Sequence, residues 1–290
     1  MDDNERIFTY EHQALKLCRN GIMLFNVNDA FVGRSLDLYG EWAQSELDIF
    51  AQVVPAGGVA IDVGANIGTH TVFLAHVVGP QGTVHAFEPQ RLVFQNLCAN
   101  VALHALTNVT AHPMAVGANP GSTRIPLLDP SAPQNFGCNA TGSDGEAVTV
   151  ATIDQLELAQ CHLIKIDVEG VEANVLRGAA ETIARCRPVL FVENNTEGEA
   201  SREVIQTMLD LGYTGYWHLA PYFNPANHFG NAEDVFADYR PEANMLCLPE
   251  AMEIEGATPV LGPEDTWRMA HERMHGGGSS GPVVARAAAQ

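Results

Sequence analysis

The chain has 290 residues, 46% of them hydrophobic, which suits one large α/β domain with additions at either end and excludes disorder of its body. Its 35 acids against 15 bases give a formal charge of −20, so phosphate backbones are repelled and nucleic acid is not an expected substrate. The six cysteines are scattered, the amino terminus lacks a basic start before an apolar run, and no apolar stretch approaches the ~20 residues a membrane span needs; the expectation is a cytoplasmic chain with reduced thiols and no membrane partner.

In chain order, residues 1–45 read as a lead-in with a short hairpin, Ile22 to Val27 and then Phe31 to Leu38, turned at Asn28-Asp29. A helix from Glu41 to Val54 leads into residues 46–250, the main domain. Its first strand, Val59-Ala60-Ile61, runs into Asp62-Val63-Gly64-Ala65-Asn66-Ile67-Gly68 and a helix from Thr69 to Val78. A second strand, Val84 to Phe87, ends in Glu88-Pro89. Apolar residues Leu92, Phe94, Leu97 and Val101 give helical spacing over Arg91 to His104, and Val109 to Met114 reads as a third strand. Residues 117–148, rich in Gly, Pro, Asn and Ser, predict a hairpin with a mobile loop. A strand His162 to Asp167, a helix Val171 to Ile183 and a strand Val189 to Glu193 follow, then strands Tyr213 to Leu219 and Asn244 to Leu248. Residues 251–275 read as a helical extension and 276–290 as a flexible tail. Strands alternating with helices predict an α/β fold: a doubly wound, mostly parallel sheet with helices on both faces, whose ligands bind at the C-terminal strand ends.

Strand, glycine turn and helix together form a nucleotide-cradling unit, because glycines let the backbone approach a ligand and the helix N-terminus presents unpaired N–H groups. The spacing here is Asp-x-Gly-x-Asn-x-Gly over Asp62, Gly64, Asn66 and Gly68, not the Gly-x-Gly-x-x-Gly of a dinucleotide site. An acid before the first glycine repels a pyrophosphate and suits a cofactor with ammonium and sulfonium cations, as in S-adenosylmethionine. Glu88, at the tip of the second strand, is placed to accept hydrogen bonds from ribose hydroxyls.

The fourth strand and its exit carry Lys165, Asp167 and Glu169 in alternation with Ile164, Ile166 and Val168, so three charges share one face if the chain stays extended. Unpaired charges buried in a central strand cost several kcal/mol each, and a lysine among carboxylates offsets that cost. Asp167 or Glu169 is a candidate to orient or deprotonate an acceptor, with Lys165 tuning both; one of them together with Glu193 is an alternative ligand pair for a divalent metal. Glu193, His218 and His228 complete the base candidates, the carboxylates ranking above the histidines.

These motifs resemble the FkbM family of S-adenosylmethionine-dependent methyltransferases. The similar pieces are Ile61 to Gly68, Phe87-Glu88-Pro89, Thr152-Ile153-Asp154, Ile164 to Gly170 with Glu172, Val175-Leu176 and Gly178, Arg187-Pro188 before Glu193, and Tyr39-Gly40-Glu41-Trp42 with Glu46. The resemblance spans roughly residues 20–250. It implies a class I methyltransferase (Rossmann-like) fold with seven strands, the last antiparallel, and O-methylation of a sugar, glycan or polyketide-type hydroxyl. By the same resemblance Asp62, Gly64, Asn66 and Gly68 hold the methionine end and Glu88 the ribose, Tyr39 and Glu46 close over the cofactor, and Met114 and Ala115 flank the adenine. N- or carboxyl-methylation of a small molecule or peptide is the alternative. A nicotinamide-dependent oxidoreductase and a non-catalytic cofactor-binding module are more distant. His271-Glu272-Arg273-Met274-His275 spells a zinc-peptidase pattern, but no third ligand follows it, so adventitious metal binding is the stronger reading.

Overall fold

In the computed structural model, which describes residues 5–137, 144–250, 254 and 256–276, the lead-in is a three-stranded antiparallel meander, β1 (Arg6–Tyr10), β2 (Gln13–Cys18) and β3 (Gly21–Asn26), followed by helices α1 (Val32–Tyr39) and α2 (Gln44–Val53). The predicted second hairpin arm, Phe31 to Leu38, is therefore a helix. Asp29 decides this: its side chain accepts from the Gly33 and Phe31 N–H groups at 2.8 and 3.2 Å, which turns the chain into a helical start. Val32, Leu36 and Tyr39, spaced for one helical face, are then buried together.

The main domain runs β4 (Val59–Val63), α3 (Thr69–Val78), β5 (Thr83–Phe87), α4 (Arg91–Leu103), β6 (Val109–His112), β7 (Ala115–Val116), β8 (Gly121–Ile125), β9 (Glu146–Ala151), β10 (Leu163–Ile166), α5 (Glu172–Arg177), α6 (Ala180–Cys186), β11 (Val189–Glu193), α7 (Glu199–Asp210), β12 (Thr214–Ala220) and β13 (Glu242–Leu248). β14 (Thr258–Pro259) and α8 (Trp267–Gly276) close the described chain. The large sheet has the order β6-β5-β4-β10-β11-β13-β12-β14, with β13 antiparallel to both neighbours. Seven strands match the expectation; the two-residue edge strand β14 makes eight. The strand order reverses between β4 and β10, which opens the cleft at their C-terminal ends.

Period-two alternation distributes the core over both faces. Ile61, Val63, Ile164, Ile166, Leu190 and Val192 pack under α5, α6 and α7. Ala60, Leu163 and Phe191 face Leu47 and Phe50 of α2 and Leu74 of α3. The register pairs Leu163 with Ala60 and Lys165 with Asp62 on that second face, so the two charges meet by strand geometry.

Several boundaries shift for local reasons. β6 stops at His112 because Pro113 has no N–H for the ladder, and Met114 lies beyond it. The hairpin expected in 117–148 is β8 with β9, joined by β7 into a third sheet, of three strands; residues 138–143, where the mobile loop was expected, lie outside the described residues. The helix predicted from Val171 to Ile183 is broken at Gly178, where a Cβ would stand 2.0 Å from the Gly117 carbonyl oxygen. The extended run of Lys165, Asp167 and Glu169 ends at Ile166; Glu169 has φ +53°, which swings it out of the strand direction. The C-terminal segment is part of the main domain: β14 pairs with β12, and Asp265 accepts from Trp217 Nε1 at 3.0 Å and pairs with Arg273 at 2.7 Å. Gly276, the first residue of the predicted tail, is the last of α8, and 277–290 lie outside the described residues. Among the described residues no helix is long and apolar enough to cross a membrane.

Candidate cofactor and acceptor site

The glycine turn joins three strand ends. Gly64 has φ +77°, and a Cβ there would stand 1.8 Å from the Asp167 carbonyl oxygen, so only glycine lets β4 and β10 exits come this close. Gly64 and Ala65 donate their N–H groups to the Phe87 carbonyl at 3.0 and 2.9 Å. Glu88 accepts from the N–H of Asn66 at 3.0 Å and of Gln90 at 2.8 Å. Burial pushes its carboxyl up to about 7, against the pull of these two N–H groups.

Two adjacent cavities open over this turn. The larger, about 380 Å³, is walled by Glu88, Met114, Ala115, Ile125, Val150 and Val168 among others. The smaller, about 90 Å³, is a polar chamber with Asn66, Thr69, His70, Lys165, Glu193 and Glu242 on its walls, flanked by Phe31, Trp42 and Tyr222. Gly64, Glu88, Gly137, Asp167 and Glu169 line both. The pair has the size and mixed lining of a small-molecule site.

Charge in the chamber is unbalanced. Lys165 Nζ lies 3.1 Å from Asp62 Oδ1 and 3.3 Å from Asp167 Oδ2, and donates to the Gly64 carbonyl at 2.9 Å. Burial disfavours this ammonium, but Asp62 and Asp167 outweigh it and hold its pKa above the usual lysine range. Burial likewise opposes the charge on Asp62, and Lys165 outweighs it, keeping that carboxyl below its ordinary value. Glu193 goes the other way: burial, then Asp167, Glu169 and Glu242, raise it well above the carboxylate range. Glu242 is raised by burial and by Glu46 and Asp167. Among the described residues its one lysine is already committed, and the surplus of carboxylates favours positive charge in the chamber.

The sequence-derived candidates divide between wall and support. Gly64, Asn66, Glu88, Met114, Ala115, Lys165, Asp167, Glu169 and Glu193 line one cavity or both. Asp62 lines neither; it is fully buried behind Lys165 and accepts from the Thr71 hydroxyl at 2.6 Å. Gly68 is likewise set back, its backbone opening α3 over Leu97. Tyr39 does not close over the cavities: its hydroxyl donates to the Glu233 carbonyl and accepts from the Val235 N–H, which ties down the 222–236 loop. Glu46 stands behind the chamber on His70 and Asn244. His218 is 3.3 Å from Ser45 Oγ on β12, two strands away from β11, and lines neither cavity. The His228 ring is exposed, and its backbone N–H donates to Glu41. From that loop it is Tyr222, stacked on Trp42 with ring centroids 5.6 Å apart, that reaches the chamber.

Among the described residues no group of three or more His, Cys, Asp or Glu side chains is placed to hold a metal ion, so the pair Asp167 and Glu193 has no third such ligand beside it. His271 and His275 stack at 4.0 Å on α8 without a third ligand.

Sequence reasoning missed His70 and Glu242. Glu242 opens an apolar strand, which is an ordinary place for an acid and gives no signal. His70 had one: a titratable imidazole in the first turn of the helix that follows the glycine turn, where the helix dipole disfavours a cation.

A family model for the methyltransferase FkbM domain matches residues 62–214, more than half of the chain. The chain belongs to this family. The FkbM-family chain is 30% identical over 201 residues to 31-O-demethyl-FK506 methyltransferase FkbM of Streptomyces tacrolimicus, covering 58% of this chain and 76% of that protein. It is 26% identical over 152 residues to Methyltransferase 1 of Beauveria bassiana, covering 43% of this chain and 59% of that one. Over 158 residues it is 30% identical to the hexuronic acid methyltransferase AglP of Haloferax volcanii, covering 52% and 62% respectively. The chain thus spans less than two thirds of the length of the last two relatives.

Proposed function

We propose that this chain is an S-adenosylmethionine-dependent methyltransferase acting on a hydroxyl of a sugar, glycan or polyketide-type small molecule, with Asp167 taking the hydroxyl proton. The observation that carries the reading is the adjacent pair of cavities: Asp167 lines both an apolar compartment of nucleoside size, edged by Glu88, and an acidic chamber edged by aromatic rings. The residues fit the cofactor. Met114 and Ala115 bracket a flat base, Glu88 has lone pairs for ribose hydroxyls, and the excess of carboxylates suits the cofactor's two cationic groups. When bound, S-adenosylmethionine supplies an electrophilic methyl group on a sulfonium.

The chain's own part is positioning and proton handling. Alkylation of an alcohol is an in-line displacement, in which holding the reactants supplies much of the rate. Lys165 holds the Asp167 carboxylate at 3.3 Å on the wall common to both cavities, within reach of an acceptor hydroxyl bound there. Trp42 and Tyr222 offer the flat apolar surface on which a sugar or macrocycle ring packs. The names of two relatives, the FK506 and hexuronic acid methyltransferases, support a hydroxylated small molecule or sugar as the acceptor class.

The test is calorimetric titration with S-adenosylhomocysteine and with NAD, followed by transfer of a labelled methyl group to a panel of hydroxylated sugars and polyketides. Micromolar binding of the first nucleoside alone, with label in an ether linkage, is expected. Binding of NAD alone would overturn the cofactor, and label recovered as a methylamine or methyl ester would overturn the acceptor chemistry.

A further inference from the structure

His70 is the second residue of α3 and is 4% exposed, yet it lines the acidic chamber beside Gly64, Asn66 and Thr69. Its Nε2 lies 3.0 Å from Glu46 Oε2, and Glu46 Oε1 accepts from Asn244 Nδ2 at 2.9 Å. Phe50 packs on the ring with centroids 5.7 Å apart. Residues of α2 and β13 thus hold this imidazole from behind. Its other nitrogen, Nδ1, has no hydrogen-bond partner among the described residues.

The contacts of the pair and its burial together favour one tautomer. Burial, and then Asp167, raises Glu46 to about 8, while burial and then Lys165 lower His70 to about 4, so at neutral pH the acid is protonated and the ring is neutral. Asn244 already donates to Oε1, which leaves the acid proton on Oε2, donated to Nε2. A neutral ring that accepts at Nε2 carries its own hydrogen at Nδ1. This donor lies at the start of a ten-residue helix with no side-chain cap, whose first N–H groups also favour an anion. A fixed donor in a chamber otherwise rich in carboxylates suits the one anionic group of S-adenosylmethionine, the carboxylate of its amino-acid end.

We infer that His70, oriented by Glu46 and Asn244, donates through Nδ1 to the α-carboxylate of the cofactor. This rests on the cofactor proposed above, and it reassigns Glu46 and Asp62 from direct contact to support.

The test compares S-adenosylhomocysteine with 5′-methylthioadenosine, which lacks the amino-acid end, by calorimetry. His70→Ala is expected to weaken the first about 10- to 100-fold, the worth of a hydrogen bond to a charged group, and to leave the second within about twofold. Glu46→Gln, whose amide still donates to Nε2, is expected to bind both ligands as the wild type does, whereas Glu46→Leu should lose the first selectively. Nitrogen-15 spectra of the wild-type histidines need no variant: they should show His70 protonated at Nδ1, with that proton moving on addition of S-adenosylhomocysteine and not of methylthioadenosine. Undiminished S-adenosylhomocysteine binding by His70→Ala, equal losses on both ligands by a folded variant, or the opposite tautomer would overturn the inference. Failure of the wild type to bind either ligand would instead overturn the cofactor reading.

Discussion

Replacing Lys165 with Met tests the electrostatic frame of the site most directly. The ammonium is the ion-pair partner of Asp62, which is 0% exposed and otherwise keeps only the Thr71 hydroxyl. Removing one member of a buried pair strands the other and typically costs about 3–5 kcal/mol. For a domain of this size, with ~2–4 °C in Tm per kcal/mol, the variant should melt about 10 °C below the wild type at pH 7. The pH dependence has a definite sign. In the wild type, Lys165 keeps the Asp62 pKa below its ordinary value, so that contribution is present at neutral pH and is lost as the pH falls. Without Lys165, burial dominates and raises the Asp62 pKa, so the variant loses stability as the pH rises and the deficit is larger at pH 8 than at pH 5. The double variant Asp62→Asn/Lys165→Met removes both charges and should recover most of the loss. Thermal and urea denaturation of the wild type, both single variants and the double variant would measure this. A Lys165→Met Tm within about 2 °C of wild type, or a double variant no better than the single, would refute the reasoning.

Asp167→Asn should leave S-adenosylhomocysteine affinity within about threefold and lower turnover by about 10²- to 10⁴-fold, the span for loss of a general base; intact turnover on an identified acceptor would remove Asp167 from its role. Gly64→Ala combines positive φ with a Cβ 1.8 Å from the Asp167 carbonyl oxygen; strain plus overpacking should cost about 3 kcal/mol, and urea midpoints equal to wild type would contradict the tight β4–β10 approach. Glu46, raised by burial to about 8, and Glu88, raised to about 7, hold protons in the folded state that the unfolded chain releases near 4.5. Stability should therefore decline as the pH rises from about 5 to 8, and a flat urea profile across that range would show these carboxyls to be ionised in the native protein.

The sheet was legible because its strands announce themselves locally. Val59 to Val63 and Val189 to Glu193 are short apolar runs between turn signals, and the glycine turn fixes which comes first. Phe31 to Leu38 was misread because its apolar residues suit either period, and the helix is chosen by Asp29 accepting from backbone groups downstream. The site divided along the same line. Lys165, Asp167 and Glu88 sit at strand ends facing the switch point, so topology alone brings them to the cavities. Asp62 belongs to the glycine-turn motif and shares the face of Lys165, but it sits behind that lysine, bonded to Thr71 of α3, a depth that motif spacing does not carry. Glu242 joins the chamber from the start of β13, 49 residues beyond Glu193, through the antiparallel pairing of β11 with β13. That pairing is a property of the assembled sheet.

Charge explains why this glycine turn suits a sulfonium cofactor better than a dinucleotide. Glu88, Asp167, Glu169, Glu193 and Glu242 line the two adjacent cavities, and among the described residues Lys165 is the one lysine or arginine on the same walls. That lysine is already bound to two carboxylates and a carbonyl, so it has little left to offer a phosphate. A pyrophosphate would add two negative charges where burial and mutual repulsion already push Glu193 and Glu242 toward their protonated forms. A sulfonium and an ammonium do the reverse: they favour the ionised carboxylates and lower the cost of burying them. The cofactor's single carboxylate is then the group that needs a dedicated donor, and the neutral imidazole of His70 supplies one without adding a positive charge that would compete with the sulfonium.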